Sequence, residues 1–230
     1  MKLKKNEYRN NTDKKQIDLK QYGEPYLPNT RVYLFLPCSG TKPYKNSKTH
    51  KFINNKLRET FDEKSLNMIQ VNTVSEVRGI IPQHLEDEIF ANPDNYYNHA
   101  PDSQDVKHTA QWLFDFIMHA PNEGNDRLFI FYATSKVFRE ICLAANQILN
   151  MFQYENKDRY YPVIELRPCC IKNPKSALFE FNKRENINYL LNDILQHFDF
   201  LTILRYASDK RRKEGMKYMK EDENEVYERR

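Results

Sequence analysis

One fourteen-residue segment, 37–50, holds an unusual density of reactive side chains. It reads Pro-Cys-Ser-Gly-Thr-Lys-Pro-Tyr-Lys-Asn-Ser-Lys-Thr-His and directly follows the apolar run Val-Tyr-Leu-Phe-Leu at 32–36. Its thiol, amine, phenol, hydroxyl and imidazole groups belong to Cys38, Lys42, Tyr44, Ser39, Thr41, Ser47, Thr49 and His50. Open α/β sheets bind their ligands where loops leave the carboxyl ends of strands. We therefore predict the active site in this segment.

Cys38 is the candidate nucleophile. A cysteine attacks as its thiolate, so the pKa of the thiol must be lowered. Lys42 and the amino end of a helix that follows the loop are expected to lower it. Two other roles remain open for Cys38: lining a ligand pocket, and filling the core as a buried structural thiol, which is common for free cysteine.

Four further side chains of the segment have candidate roles. Lys42 can hold a phosphate, a carboxylate or a developing negative charge, or be a solvated lysine. Tyr44 can stack on a base or donate a hydrogen bond. Ser47 is predicted to cap a helix that begins near Lys48, and helix amino ends also attract anions. His50 then lies in the first turn, where it can move protons or have a structural role.

Strands and helices are predicted to alternate along the chain. Strands are predicted at 31–37, Met68–Val74, Arg127–Ala133 and Tyr161–Leu166. Helices are predicted at Lys48–Thr60, Gln83–Phe90, Val106–Ala120, Ser135–Met151 and Asn186–Phe198, with a polar loop over 91–105. This order predicts an α/β fold with a short, mostly parallel central sheet covered on both faces.

Length and composition indicate one globular domain. The chain has 230 residues, of which 40% are hydrophobic and 30% charged. The net charge of +4 equals that of the first 20 residues, so we predict a basic, disordered arm over 1–29 that can approach nucleic acid. The core domain is predicted over 30–200, and a charged helix or tail over 201–230.

The cysteine pattern and the hydropathy indicate whether to expect a metal site, a membrane span or a secretory signal. The four cysteines show no paired CxxC spacing, which argues against a zinc site, and we expect no metal. No apolar run reaches the length of a membrane span, and the amino terminus lacks a signal-peptide apolar region. These features predict a cytoplasmic protein with free thiols and no membrane contact.

The motif Pro-Cys-x3-Lys-Pro-Tyr-x2-Ser-x2-His resembles the signature of the archaeosine synthase family. The matching positions are Pro37, Cys38, Lys42, Pro43, Tyr44, Ser47 and His50. A second stretch, 75–86, resembles the family segment Ser-Pro-x-Gly-x-Val-Pro-x-x-Leu-Glu with one extra residue, and it contains Ser75, Gly79 and Glu86. Tyr97-Asn98 stands where the family has Tyr-Asp, and the family's Gly-His-Trp is absent. The resemblance covers roughly 31–200.

The resemblance implies a fold and a reaction. The family's core domain is a three-layer α/β/α sandwich similar to uracil-DNA glycosylases. Archaeosine synthases act on 7-cyano-7-deazaguanine (preQ0) in tRNA and add an amine across its nitrile to form an amidine, without ATP or another cofactor. The donor is free lysine in the form that works with a radical-SAM partner. Family members also carry transglycosylase-like and RNA-binding PUA domains, so a stand-alone core is expected to need such a subunit.

Site roles follow from the same resemblance. Cys38, Lys42 and His50 are the expected catalytic residues. The expected substrate-binding residues are Ser39, Tyr44, Ser47, Ser75, Gly79, Glu86 and Tyr97. For Glu86 and its neighbour Asp87, a solvated helix face is the competing interpretation.

Two other functions stay open at this point. The chain can be a binding module, or a subunit of a split enzyme, that recognises a modified base or nucleic acid without chemistry. Removal of a base, by analogy with the glycosylases, is a weaker candidate because fold alone is poor evidence of function.

Overall fold

A computed structural model describes residues 16–96, 105–121, 127–132, 136–156, 166–168 and 186–202. The chain divides into two compact units, Met1–Leu191 and Asn192–Arg230. The sheet and the candidate site belong to the first unit. Of the second unit the structure describes residues 192–202, which are helical.

The first unit is built on a mixed five-stranded sheet. Its strands are β1 (Val32–Pro37), β2 (Ile69–Ser75), β3 (Gly79–Pro82), β4 (Leu128–Phe131) and β5 (Leu166–Pro168). Their order in space is β3-β2-β1-β4-β5, and only β3 runs antiparallel to its neighbour. The predicted α/β class is therefore confirmed, as is the parallel pairing of the first three predicted strands. Of the fourth predicted strand, Tyr161–Leu166, only Leu166 lies within the described residues, where it begins β5. The three-layer, glycosylase-like arrangement remains a prediction.

Helices lie between the parallel strands, as the sequence pattern predicts. They are α1 (Lys48–Thr60), α2 (Glu63–Leu66), α3 (Glu86–Ala91), α4 (Asp105–His119), α5 (Lys136–Glu155) and α6 (186–202), with 3-10 turns at Leu19–Gln21, Tyr44–Asn46, Gln83–Leu85 and Pro93–Asn95. The helix predicted over Gln83–Phe90 is thus a 3-10 turn followed by α3. The short strand β3 was not predicted.

Alternating side chains of the central strand divide the core. Tyr33 and Phe35 of β1 lie in one apolar cluster with Phe129 and Phe131 of β4 and with the apolar faces of α4 and α5. Successive side chains of a strand point to opposite faces. The intervening Val32, Leu34 and Leu36 are also fully buried, so both faces of β1 are covered and the strand end is held rigidly.

The prediction of a disordered arm is wrong for residues 16–29. Residues 16–29 are described, and they pack against the first unit. Ile17 is buried and its amide N–H donates to the carbonyl of Arg78 at 3.0 Å. The hydroxyl of Tyr26 donates to the carbonyl of Phe116 at 2.9 Å. A few apolar side chains among the charges give this segment enough buried surface to order it. Residues 1–15 and 203–230 lie outside the described residues.

None of the helices in the described part of the chain combines the length and apolar character needed to cross a membrane.

Candidate active site

The register of the sheet brings two loops together at one edge. Strands β1 and β2 are parallel and pair Pro37 with Val74. The amide of Cys38 continues the ladder by donating to the carbonyl of Val74 at 3.0 Å. The next residues on β2 and its turn are Ser75 and Glu76, so the motif loop and the second segment meet where parallel strands of an open sheet end.

Cys38 is held by a buried carboxylate. Its thiol donates to Oε2 of Glu76 across 3.0 Å. Cys38 is partly exposed, whereas Glu76 is only 2% exposed. Burial, then the charge and hydrogen bond of Glu76, raise the pKa of the Cys38 thiol well above its ordinary value, and Lys42 opposes them only in part. The predicted lowering of this pKa is therefore wrong in this state, because the sequence argument did not include Glu76.

Lys42 folds back over the motif loop. Its ammonium donates to the carbonyl of Ser39 at 2.9 Å and lies 5.1 Å from the centre of the Tyr44 ring. Burial lowers the pKa of Lys42, and the negative partners Cys38 and Glu76 raise it in opposition. The ammonium is thus close enough to the thiol and the carboxylate to stabilise negative charge that forms there.

Tyr44 supports the loop from behind. The residue is 2% exposed, its ring packs edge-on against Phe90 at 5.2 Å, and its hydroxyl hydrogen-bonds to Ser75. Burial raises the pKa of Tyr44 well above its ordinary value. A ring so covered offers no face on which a base could stack in this conformation. Its hydrogen bond instead joins the motif loop to the end of β2.

Ser47 and His50 fix the start of α1. Ser47 caps the helix, as predicted, with its hydroxyl oxygen accepting from the amide of His50 at 3.2 Å. The Nε2–H of His50 donates to the carbonyl of Pro37 at 2.9 Å, since a carbonyl can only accept. Burial lowers the pKa of His50, so the ring is held neutral. Its Nδ1 is buried and has no partner among the described residues.

Glu86 anchors the motif loop to the sheet. It is fully buried; one oxygen accepts from the amide of Lys45 at 2.7 Å and the other from the hydroxyl of Thr73 at 3.2 Å. Burial raises the pKa of Glu86 to about 7. The exposed side chain of Asp87 pairs with the Lys45 ammonium. Both oxygens of Glu86 thus hold protein groups, so its role in this conformation is to position the loop.

Of the remaining predicted residues, the structure describes two, Ser39 and Gly79. The hydroxyl of Ser39 donates within the loop to the carbonyl of Thr41 at 3.1 Å. Gly79 opens β3 with φ +86°, where a Cβ would lie 2.8 Å from Cγ of Gln16. Its role is conformational, because L side chains rarely adopt such a φ. Tyr97 lies outside the described residues.

Two residues of the site were missed by the sequence argument. Glu76 directly follows Ser75 at the end of a predicted strand, so its position could have marked it. His108 gave no such signal, because it lies on α4 and reaches the site only in the folded chain. Its Nε2–H donates to the backbone carbonyl of Glu76 at 2.8 Å.

Neither a group of metal-binding side chains nor the cavity described below coincides with this site within the described residues. Within the described ranges, no three His, Cys, Asp or Glu side chains are grouped to hold a metal ion. A cavity of about 360 Å³, lined by Arg31, Tyr33 and Arg127 among others, lies at the amino ends of β1 and β4. That is the opposite edge of the sheet from Cys38.

Comparison with known proteins places the chain in a family without an assigned function. Residues 19–158 match the model of DUF5591, described as a domain of unknown function, and the chain belongs to that family. No curated protein matches it. The crystal structure of AF0587, itself a protein of unknown function, is similar with 17% identity and a TM-score of 0.44. The match covers 72% of this chain and 44% of AF0587, so this chain spans less than half of that protein.

Proposed function

We propose that this protein is a tRNA-modification enzyme of the archaeosine synthase type, with the glycosylase-like three-layer fold of that family's core. It would add an amine, with lysine as the favoured donor, to the nitrile of preQ0 in tRNA. The observation that carries the proposal is the contact between Cys38 and Glu76 at the carboxyl edge of the sheet. A thiol beside a proton acceptor, with an ammonium close by, is suited to addition across a nitrile.

The reaction balances without an oxidant, a nucleotide or a metal. The sulfur of Cys38 bonds to the nitrile carbon, and the nitrile nitrogen gains the thiol proton, which gives a thioimidate. The amine then bonds to the same carbon, the carbon–sulfur bond breaks, and the amine's proton returns to the sulfur. The product is an amidine, and the enzyme regains its thiol.

Lys42 and His50 have separate roles in this scheme. The Lys42 ammonium stabilises negative charge as it develops on the nitrogen or the sulfur. The neutral His50 ring holds the carbonyl of Pro37 through Nε2, and therefore fixes the residue that precedes Cys38. Its Nδ1 is buried, so in this conformation His50 positions the loop and does not exchange protons with the amine.

The proposed partners follow from the same reaction. They are a tRNA that carries preQ0, the amino donor, and a subunit of transglycosylase-like or PUA type that recruits the tRNA, or a radical-SAM enzyme that processes the lysine adduct. The phosphate-rich substrate suits the basic first 20 residues.

A product assay tests the proposal. The full chain is incubated with preQ0-containing tRNA and lysine, and digested nucleosides are analysed by mass spectrometry. We expect the deazaguanosine to gain the mass of one lysine, and Cys38→Ala to abolish the gain. Cys142→Ala, which removes a core thiol on α5, is the matched control and should retain it. Amidine formation at the wild-type rate by Cys38→Ala would rule out the cysteine chemistry.

A second candidate is a module, or split-enzyme subunit, that binds the modified base without chemistry. The observation that favours it is the raised pKa of Cys38, which keeps the thiol protonated at neutral pH in this state. The two candidates differ in one result. A binding module retains preQ0-containing tRNA in preference to unmodified tRNA and yields no mass gain with any amine.

A further inference from the structure

We infer that Glu76 is the acid–base partner of Cys38, taking the thiol proton as sulfur attacks a nitrile and delivering it to the nitrile nitrogen. The inference deepens the proposed function and rests on it for the identity of the electrophile. Glu76 lies within the second stretch, 75–86, but it is not one of the positions that match the family segment. Its role is argued from its contacts alone.

The contact has the geometry that proton transfer needs. The Sγ of Cys38 and Oε2 of Glu76 are 3.0 Å apart. A general base must lie within hydrogen-bond reach of the proton that it removes. Glu76 is 2% exposed while Cys38 remains partly exposed. The thiol can therefore meet a ligand from the open side while the carboxylate stays shielded from water, where its interaction with the proton is stronger.

The turn that carries Glu76 is fixed from two sides. The Nε2–H of His108 donates to the Glu76 carbonyl at 2.8 Å, and the same ring lies 3.8 Å from the fully buried carboxylate of Asp105. Within the turn, the amide of Arg78 donates to the hydroxyl of Ser75 at 3.2 Å. The backbone on both sides of Glu76 is therefore held in place, so His108 acts as a positioning residue.

Proton movement within the pair avoids a second buried charge. Before the reaction the pair holds a thiol and a carboxylate, with one negative charge near the Lys42 ammonium. Transfer converts it to a thiolate and a carboxylic acid, still with one negative charge. Removal of the proton to solvent would instead leave two neighbouring anions, which is costly in a partly buried site.

The cycle closes on Glu76. As the carbon–sulfur bond forms, the proton goes from sulfur to the carboxylate and then to the nitrile nitrogen. When an amine attacks the thioimidate, its surplus proton passes to Glu76 and then to the departing sulfur. The carboxylate is ionised again at the end of each half-reaction, the thiol is regenerated at the end of the second, and no redox change occurs.

Two electrophiles separate proton delivery from simple electrostatics. Iodoacetamide needs only the thiolate, whereas a neutral heteroaryl nitrile such as 2-cyanopyrimidine must also gain a proton on nitrogen. Adducts on Cys38 are timed at one pH by peptide mass spectrometry, and the buried Cys142 should stay unmodified as long as the protein remains folded. Glu76→Gln removes the carboxylate charge, so we expect faster alkylation by iodoacetamide. We expect its nitrile adduct to form about 10² to 10⁴-fold more slowly, the usual loss when an acid–base group is removed.

Each outcome of this comparison decides the inference. Opposite changes of the two rates support it, and parallel changes, or a wild-type protein that forms no nitrile adduct, overturn it. Glu88→Gln, the same change at an exposed position of α3, should alter neither rate. If Glu76→Gln does not fold, Glu76→Asp replaces it. The shorter carboxylate should slow nitrile addition more than alkylation, and equal effects overturn the inference.

This experiment contains no tRNA, so it separates the two claims. Opposite changes of the two rates in Glu76→Gln, with no amidine formed in preQ0-containing tRNA, would support the acid–base pair and rule out the proposed substrate. Amidine formation, with alkylation and nitrile addition changed in parallel by Glu76→Gln, would support the proposed function but show that Glu76 is not its acid–base group.

Discussion

Opposing influences act on the pKa of the Cys38 thiol. Lys42 favours the thiolate, whereas burial and the carboxylate of Glu76 favour the thiol, and the net effect is a raised pKa. The resting protein therefore holds Cys38 protonated at neutral pH. Attack must then be coupled to proton transfer, which distinguishes this cysteine from nucleophiles that rest as thiolates beside a cation.

Glu86 gives the fold a measurable pH dependence. Burial raises its pKa to about 7, above the value of about 4.3 of an unfolded chain. Between these pH values the native protein holds a proton that the unfolded chain has released. The stabilisation is thus complete below the unfolded pKa and is lost as pH rises through the folded pKa. Between these two pKa values we expect the free energy of unfolding of the wild type to fall by on the order of 3 kcal/mol as pH rises. We expect Glu86→Gln to lack this fall.

Urea denaturation at several pH values between those two pKa values measures this effect. Glu88→Gln serves as the control, because that carboxylate is exposed on the same helix and its loss should leave the slope unchanged. Identical pH slopes for wild type and Glu86→Gln would show that the buried carboxyl does not titrate differently in the folded protein.

At the scale of elements, the helix cap of α1 contributes to the stability of the fold and holds the amide of the site residue His50. Ser47 is 5% exposed and satisfies the amide of His50. We expect Ser47→Ala to lower the free energy of unfolding by about 1 kcal/mol, the usual loss of a cap. Ser47→Thr keeps the hydroxyl and should lose less. Chemical denaturation of the three proteins tests this, and equal stability of Ser47→Ala and wild type would contradict it.

Strong periodic elements were predictable, and short or non-local ones were not. The parallel strands and α1 follow from apolar runs and from a capping serine that local sequence reveals. Strand β3 has four residues, begins at Gly79 and ends at Pro82, which is a composition typical of a turn. It forms because Val74 and Ser75 of β2 offer an edge that β3 can pair with.

At the scale of the whole molecule, the site is assembled from segments that are distant in sequence. The motif loop, the turn after β2 and helix α4 contribute Cys38, Glu76 and His108, and only the sheet register and the packing of α4 bring them together. Sequence reasoning singled out the first two of these segments as candidate parts of the site. It gave the wrong direction for the thiol pKa, since that direction depends on a residue 38 positions away.

The most direct test of the central claim is to trap and then release the cysteine adduct. The protein is mixed with preQ0-containing tRNA under single-turnover conditions without an amine, digested with nuclease and examined by intact mass. We predict one nucleotide adduct, mapped to Cys38, that disappears when lysine is added while an equal amount of amidine nucleoside forms. Amidine formation with no adduct at any time, and at an unchanged rate in Cys38→Ala, would contradict the account.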